Sequence, residues 1–263
     1  MLRIALPNKG RLAEGARTLL ERAGLDLRFR GERALQATLG EGRTALFVRS
    51  ADIPEFVANG AADLGITGRD LVEEAGCPVE TLLELGYGAC RVALAVRNDL
   101  PARDVADLPD GVRVATSFVN LTRRYFAAHG RSFELVPISG AAEITPLLGV
   151  ADAIVDVVDT GSTLRSNGLR ELGTLLDTSA VLIASPAALA DAERARAVSG
   201  FATTLESVLR ARGKRYLMAN VPRAALADIR RILPGINGPT VVNVLDETEI
   251  VAAHAVVDRR DVD

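Results

Sequence analysis

Short apolar runs alternate along the chain with stretches whose apolar residues recur every three or four positions. Residues 2–6 form an apolar run that ends in "PNKGR". Beyond it Leu12, Ala16, Leu19, Leu20 and Ala23 share one helical face, and Gly24 is placed to stop the helix. "TALFVRS" at 44–50 predicts the next strand, followed by a short helix at about 52–58, the strand "ADLGIT" and a helix from Asp70. A second run of the same kind starts at Cys90: "CRVALAV", "GVRVATS" from 111, a helix from Asn120, "FELVPIS" from 133, a helix near 141–148, and "ADAIVDVV". "SAVLIAS" from 179 then leads into a long helix at roughly 187–211.

Such alternation predicts mainly parallel sheets covered on both faces, with ligand loops at the C-terminal ends of the strands. The expected organisation is an α/β core of two lobes around a cleft: residues 1–90 with 180–212 in the first lobe, 91–179 in the second. The pattern changes from Lys214. "RYLMANV", the helix "PRAALADIRRIL", the turn "PGINGP" and the hairpin "TVVNVLD"/"EIVAAHAVV" give β-α-β-β over 213–263, most of a ferredoxin-like α+β module that lacks its last helix and strand. The sequence contains no internal repeat or low-complexity segment.

Composition narrows the reading a little. A chain of 263 residues, 48% hydrophobic and 25% charged, can bury a sizeable core, while 4% aromatic residues and no Trp argue against a base-stacking nucleic-acid platform. The net charge of −3 conceals basic residues near predicted loops, among them Lys9, Arg28, Arg30, Arg33 and Arg69, where an acidic ligand finds pockets. Cys77 and Cys90 have neither disulfide-framework nor zinc spacing, which points to a reducing compartment. With no signal-peptide core and no membrane-length apolar run, a cytoplasmic location is expected.

The segment "VDVVDTGSTL", Val155–Leu164, carries the most chemistry. A helix beginning near Gly161 would gather the N–H groups of 160–164 and the hydroxyls of Thr160, Ser162 and Thr163 at one point, a cradle for a phosphate monoester. Asp156 lies upstream, suitably placed to accept hydrogen bonds from a ribose diol. Asp159 is expected to point away, since at about 6 Å it would repel a phosphate by about 3 kcal/mol per unit charge. The bland alternative is a helix start with a polar turn.

Basic or hydroxyl-bearing strand ends recur at Lys9, Gly10 and Arg11, at Arg49, and at Thr67–Asp70. Each alone could be a solvated turn, but α/β topology gathers such ends on one face. Asn120 reads as an N-cap followed by Arg123 and Arg124, charges opposite to those a helix start prefers, which again invites an anion or else marks a solvated face. Glu143 either satisfies a helix start or faces the cleft. His129 and His254 lack partners at ligand spacing, and no Ser-His-Asp set or metal cluster can be assembled.

"RIALPNKGRL", "DLGITGRD", "RVATSFVNLTRRYF", "SGAAEITPLLGVADAIVDVVDTGSTLRSNGL" and "YLMANVPR…LPGINGPTV", in this order over nearly the whole chain, resemble the long form of the ATP phosphoribosyltransferase family. The resemblance implies a bilobal catalytic core similar to periplasmic binding proteins and an ACT-like C-terminal domain that binds histidine. It implies transfer of the phosphoribosyl group of phosphoribosyl pyrophosphate to N1 of ATP, Mg²⁺ as cofactor, and dimers or hexamers of identical chains. On the same ground Asp156 and Thr160, Gly161, Ser162, Thr163 and Leu164 look like the phosphoribosyl pyrophosphate site. Lys9 and Arg49 join Asp156 at the reacting centre, Lys9, Arg11, Asp70 and Glu143 face ATP, and Thr240 lines the effector pocket. Two rivals share parts of this pattern: a phosphoribosyltransferase of the Rossmann-like class, with paired acids before a Thr-Gly loop, and a two-lobed solute-binding protein.

Overall fold

The computed structural model describes residues 1–29, 35–232, 238–245 and 249–262; Arg30, Arg33 and most of the "PGINGP" turn lie outside them. The chain divides into two compact units, Met1–Glu206 and Ser207–Asp263.

In the first unit the opening run forms β1 (Leu2–Pro7), α1 (Arg11–Arg22), β2 (Leu27–Phe29), β3 (Gln36–Leu39), β4 (Arg43–Val48), α2 (Ile53–Ala58), β5 (Leu64–Gly68), α3 (Arg69–Ala75) and β6 (Glu80–Glu84). The second run supplies β7 (Cys90–Arg97), β8 (Val112–Thr116), α4 (Val119–Ala128), β9 (Phe133–Pro137), β10 (Ala153–Val158), α5 (Ser162–Ser166) and β11 (Leu169–Thr178). The chain then returns through β12 (Ala180–Ala184), α6 (Pro186–Ala190) and α7 (Ala192–Ala211). A seven-stranded sheet runs β2-β3-β4-β1-β5-β12-β6, and a five-stranded one β11-β7-β10-β8-β9.

Both sheets are mixed, which corrects the expectation of mainly parallel sheets. β4, β1 and β5 are parallel, but β12 comes back from the second lobe against the direction of β5 and pairs antiparallel with it and with β6. In the second lobe β10, β8 and β9 are parallel and β7 antiparallel to both its neighbours. β5 and β12 are buried at every residue, as strands covered on both faces must be. The chain passes between the lobes twice. Leu85 N–H donates to Ala180 O (2.9 Å) and Ala180 N–H to Tyr87 O (3.0 Å), so the two crossings are tied to each other.

Two helical expectations need correction. Residues 141–148 hold only one 3-10 turn, Ala142–Ile144: Pro146 has no N–H to offer Ala142 O, which accepts Thr145 N–H at 3.0 Å instead, although Thr145 itself keeps helical backbone (φ −63°, ψ −35°). The long helix expected at 187–211 is broken at Asp191, whose backbone is extended (φ −91°, ψ 119°) and whose Oδ1 accepts the N–H of Arg194 at 2.9 Å, capping α7. β2, β3, β6 and β11 were not foreseen: three are short, and β11 is interrupted by register shifts on either side of Gly173 and Thr174.

The second unit contains β13 (Lys214–Pro222), α8 (Leu226–Ile232), β14 (Thr240–Asn243) and β15 (Ile250–Asp258), in an antiparallel sheet ordered β13-β15-β14. That order is the one a ferredoxin-like module gives its first three strands. Val251, Ala253, Ala255 and Val257 alternate along β15 as its buried face. No helix among the described residues is long and apolar enough to cross a membrane.

Candidate active site

A cleft of about 430 Å³ opens at the C-terminal end of β10, lined by Arg11, Glu143, Asp156 and the whole of residues 157–164. β10 is buried over Ala153–Val155 and again at Val158, with Asp156 and Val157 half-buried between them, so the apolar residues of the strand anchor Asp156 at the mouth. Gly161 takes a left-handed conformation (φ 71°, ψ 9°), which a glycine adopts at no steric cost, and turns the chain into α5. The N–H groups of Thr160, Gly161, Thr163 and Leu164 donate to no acceptor among the described residues, and Ser162 N–H reaches only Thr160 Oγ1, at 3.4 Å. Thr160 Oγ1 donates to Ser162 Oγ (3.0 Å), fixing two of the three hydroxyls relative to each other. Unspent amides bordering a cleft form an anion-binding concavity.

Asp156 faces the same space. Its Oδ1 accepts Val157 N–H at 2.7 Å, while Oδ2 accepts no hydrogen bond from the described residues. Burial raises the Asp156 carboxyl above its ordinary range; the Val157 N–H works against that, and the negative charge of Glu143 adds to it. A half-buried carboxylate with no cationic partner and one vacant oxygen, among the described residues, suits a ligand that brings its own donors, such as a diol. Glu143 arrives on the 3-10 turn that follows Ala141, a non-glycine residue at φ 53°, and local strain of this kind concentrates at functional sites.

From the first lobe Arg11 reaches across. Its Nη1 donates to Gly88 O (2.7 Å) and its Nη2 to Cys90 Sγ (3.0 Å), which holds the guanidinium against the crossing between lobes with donors left for the cleft. The structure thus brings Arg11, Glu143, Asp156 and Thr160–Leu164 together. Lys9 borders a separate shallow depression with Asn8, Gly10, Glu14 and Arg17. Arg49 is exposed ahead of a 3-10 turn. Asp70 is buried: its N–H donates to Thr178 Oγ1 (3.0 Å), which donates back to Asp70 Oδ1 (2.8 Å), a closed pair at the return crossing. Thr240, on β14, is exposed in the second unit. Asp159 lines the cleft, and its carbonyl accepts from Arg91 Nη1 at 3.1 Å.

The expectation of an anion at the start of α4 is corrected. Glu74, on α3 of the other lobe, takes the N–H groups of Asn120 (2.9 Å) and Leu121 (3.0 Å), and Arg124 pairs with Glu73 (3.1 Å). The protein supplies its own carboxylate there. Sequence reasoning missed this pair, and it missed Arg91, Glu171 and Arg165 around the loop; single charges beside apolar runs carried no signal of their partners.

Fold and cleft together define a protein on a two-lobed scaffold of the solute-binding kind whose cleft presents free donors to an anion. The substrate-binding protein of an amino acid ABC transporter shares that fold, with a TM-score of 0.52 at 11% identity over 80% of this chain and 92% of its own. Residues 49–207 match the family model for ATP phosphoribosyltransferase and residues 211–263 that for the HisG C-terminal domain. The chain belongs to the ATP phosphoribosyltransferase family. A relative named ATP phosphoribosyltransferase in Gemmatimonas aurantiaca is 54% identical over 262 residues, 98% of this chain and 90% of that one. The solved "ATP phosphoribosyl transferase (HisG:HisZ) complex" from Thermotoga maritima superposes with a TM-score of 0.70 at 29% identity, covering 80% of this chain and 99% of that one. The family's reaction opens histidine biosynthesis: the 5-phosphoribosyl group of phosphoribosyl pyrophosphate moves to N1 of ATP and pyrophosphate leaves.

Proposed function

We propose that the cleft at the end of β10 is where this chain carries out that transfer, with Thr160–Leu164 holding the 5-phosphate and Asp156 the ribose hydroxyls. The observation that carries the reading is the set of uncommitted amides at 160, 161, 163 and 164 beside the vacant Oδ2 of Asp156. Each hydrogen bond to a charged group contributes about 1.5–3 kcal/mol, so three or four amides suffice to hold a monoester without a lysine.

Adenine N1 is a weak nucleophile, and departure of pyrophosphate builds positive charge at C1. Holding the phosphate at one end and the diol at the other fixes C1 in the cleft, so that attack becomes effectively unimolecular. Arg11, on the opposite wall, supports the charge growing on the leaving group. The lobes exclude water that would otherwise hydrolyse the activated sugar. No proton need be taken from N1, so no general base is required. Lys9 and Arg49 border neighbouring surfaces and act, in this reading, on the ATP and pyrophosphate ends, while Asp70 is buried with its carboxylate engaged by Thr178.

Mg²⁺ fits the donor set as a metal held mainly by substrate phosphates with one or two carboxylates, and Glu143 and Asp159 line the cleft to serve it. When bound it neutralises charge on the departing pyrophosphate. The second unit is read as a histidine-binding regulatory domain with Thr240 in its effector pocket, and the active species as a cytoplasmic homodimer or hexamer; the family resemblance supports these readings. The test is to mix the protein with ATP, phosphoribosyl pyrophosphate and Mg²⁺ and follow phosphoribosyl-ATP, with and without histidine. Product that disappears on replacing Asp156 by Ala is expected. Unchanged affinity of Asp156→Ala for phosphoribosyl pyrophosphate rejects the diol role, and indifference to millimolar histidine rejects the regulatory one.

A further inference from the structure

We propose that Arg91, braced by Glu171, acts together with Arg165 as a set of positioning residues that aims the phosphate loop. The inference rests on the reading that this loop holds the sugar 5-phosphate. On the antiparallel β7–β10 pair Arg91 stands opposite Val158, the last residue of the strand before the loop. Its guanidinium grips Glu171 of β11 in a two-pronged ion pair, one prong being Nε to Oε2 at 2.7 Å. The remaining Nη1 donates to Asp159 O at 3.1 Å. From the far side of the turn Arg165 Nη1 donates to Thr160 O, also at 3.1 Å. Two successive loop carbonyls are therefore each held by an arginine.

The consequence follows from the planarity of the peptide bond. In a trans peptide the carbonyl and the next residue's N–H point in opposite directions. Drawing the carbonyls of Asp159 and Thr160 toward the arginines turns the N–H groups of Thr160 and Gly161 the other way, and neither has an acceptor among the described residues. Gly161 lies against the same support: a Cβ there would stand 3.1 Å from Arg165 Nη1 and 3.4 Å from Glu171 Oε1. Glu171 would by itself be a poor neighbour for a phosphate. Arg91, through its hydrogen bonds and charge, holds the Glu171 carboxyl below its ordinary range, and Arg165 adds to this, so the brace stays ionised while its charge is neutralised. Rigid orientation of donors before the ligand arrives is what lets such a site bind without reorganisation.

The test compares steady-state kinetics of Arg91→Ala, Arg91→Lys, Glu171→Gln and the loop variant Thr163→Val in the full-length enzyme, with Tm measured for each. Arg91→Ala should raise KM for phosphoribosyl pyrophosphate about 10- to 100-fold, as misaligned binding groups do, while kcat and KM for ATP stay within about threefold. Arg91→Lys, which keeps a donor for Asp159 O and loses the fork, should recover part of that loss, and Glu171→Gln should fall between them. If Arg91→Ala leaves that KM within about twofold while Thr163→Val raises it, the positioning role falls and the phosphate reading of the loop stands. If neither variant moves it, the phosphate reading itself falls. A loss confined to kcat, following the fraction of folded protein and unrelieved by Lys, also overturns the proposal, because it marks a merely structural ion pair.

Discussion

The loop after β10 and the start of α4 look alike in sequence and differ in the fold. Each follows a buried strand, and each offers a turn, hydroxyl or amide donors and a helix start: "VVDTGSTL" in one case, "ATSFVNLTRR" in the other. At α4 the two leading amides are satisfied by Glu74 from the opposite lobe, and Asn120 Nδ2 adds a bond to Glu74 O at 2.8 Å. At the β10 loop the nearby carboxylate, Glu171, is engaged by Arg91 behind the loop and leaves the amides uncovered. Both places are built for an anion, but only one is left to receive it from outside. A sequence motif can mark spare donors; tertiary contacts decide whether the protein fills them itself.

The sharpest way to test that contrast is to remove the charge that works beside the open loop. Asp156→Asn keeps the shape of the side chain and loses the charged acceptor for a diol. Two hydrogen bonds to a carboxylate, at about 1.5–3 kcal/mol each, predict a fall of about 100-fold or more in kcat/KM for phosphoribosyl pyrophosphate. The same change should stabilise the empty protein at neutral pH. Burial, partly opposed by the Val157 N–H and aided by Glu143, raises this carboxyl, so the fold disfavours its ionised form. Stability is therefore lost as pH rises through the titration of Asp156 and retained below it. The Asn variant should melt higher than the parent at about pH 8, and that advantage should shrink as pH falls through the titration of Asp156. A variant that binds as well as the parent, or melts lower at about pH 8, breaks the assignment.

A smaller effect isolates the geometry of the loop from its charge. Gly161→Ala places an L residue at φ 71° and a methyl 3.1 Å from Arg165 Nη1, so the loop must shift. The left-handed penalty is about 1–2 kcal/mol, and KM for phosphoribosyl pyrophosphate should rise roughly five- to tenfold. Gly130→Ala is the matched comparison, with φ 64° and open space around the added methyl. It should lose similar stability and leave KM unchanged. Equal KM for both variants would show that the loop tolerates displacement and would weaken the comparison with α4.

How much of this was legible in the sequence depends on the range of the contact involved. β10, the turn at Gly161 and the facing Asp156 are set by neighbours within a few residues: an apolar run, a glycine, a cluster of hydroxyls. The two-lobed α/β architecture followed from the alternation of apolar runs. The direction of β12 did not, because it depends on the chain's return from the other lobe rather than on any local pattern. β11 was obscured for a related reason. It carries Arg170, Glu171 and Asp177 among its apolar residues, and Gly173, where a Cβ would collide with Tyr125 Oη, breaks its alternation. The contacts that distinguish the two anion places, the Asn120 N–H to Glu74 hydrogen bond and the Arg91–Glu171 ion pair, join residues 46 and 80 positions apart, and no local spacing reports them.

The last expected effect is the smallest and concerns the filled place. Glu74→Ala should not open a second substrate site, because the helix start it leaves has no counterpart of Asp156 beside it. What it removes is a cap. Loss of a carboxylate that satisfies two leading amides costs about 1 kcal/mol, which for a unit of this size lowers Tm by roughly 2–4 °C. KM for phosphoribosyl pyrophosphate should stay within about twofold, since the cap touches neither the loop nor Asp156. The diagnostic measurement is phosphate protection of the variant against heat, compared with the parent at equal ionic strength. Protection that grows in Glu74→Ala, with KM rising alongside, would mean that the start of α4 is a latent anion site coupled to the cleft. The two regions would then differ in occupancy and no longer in kind.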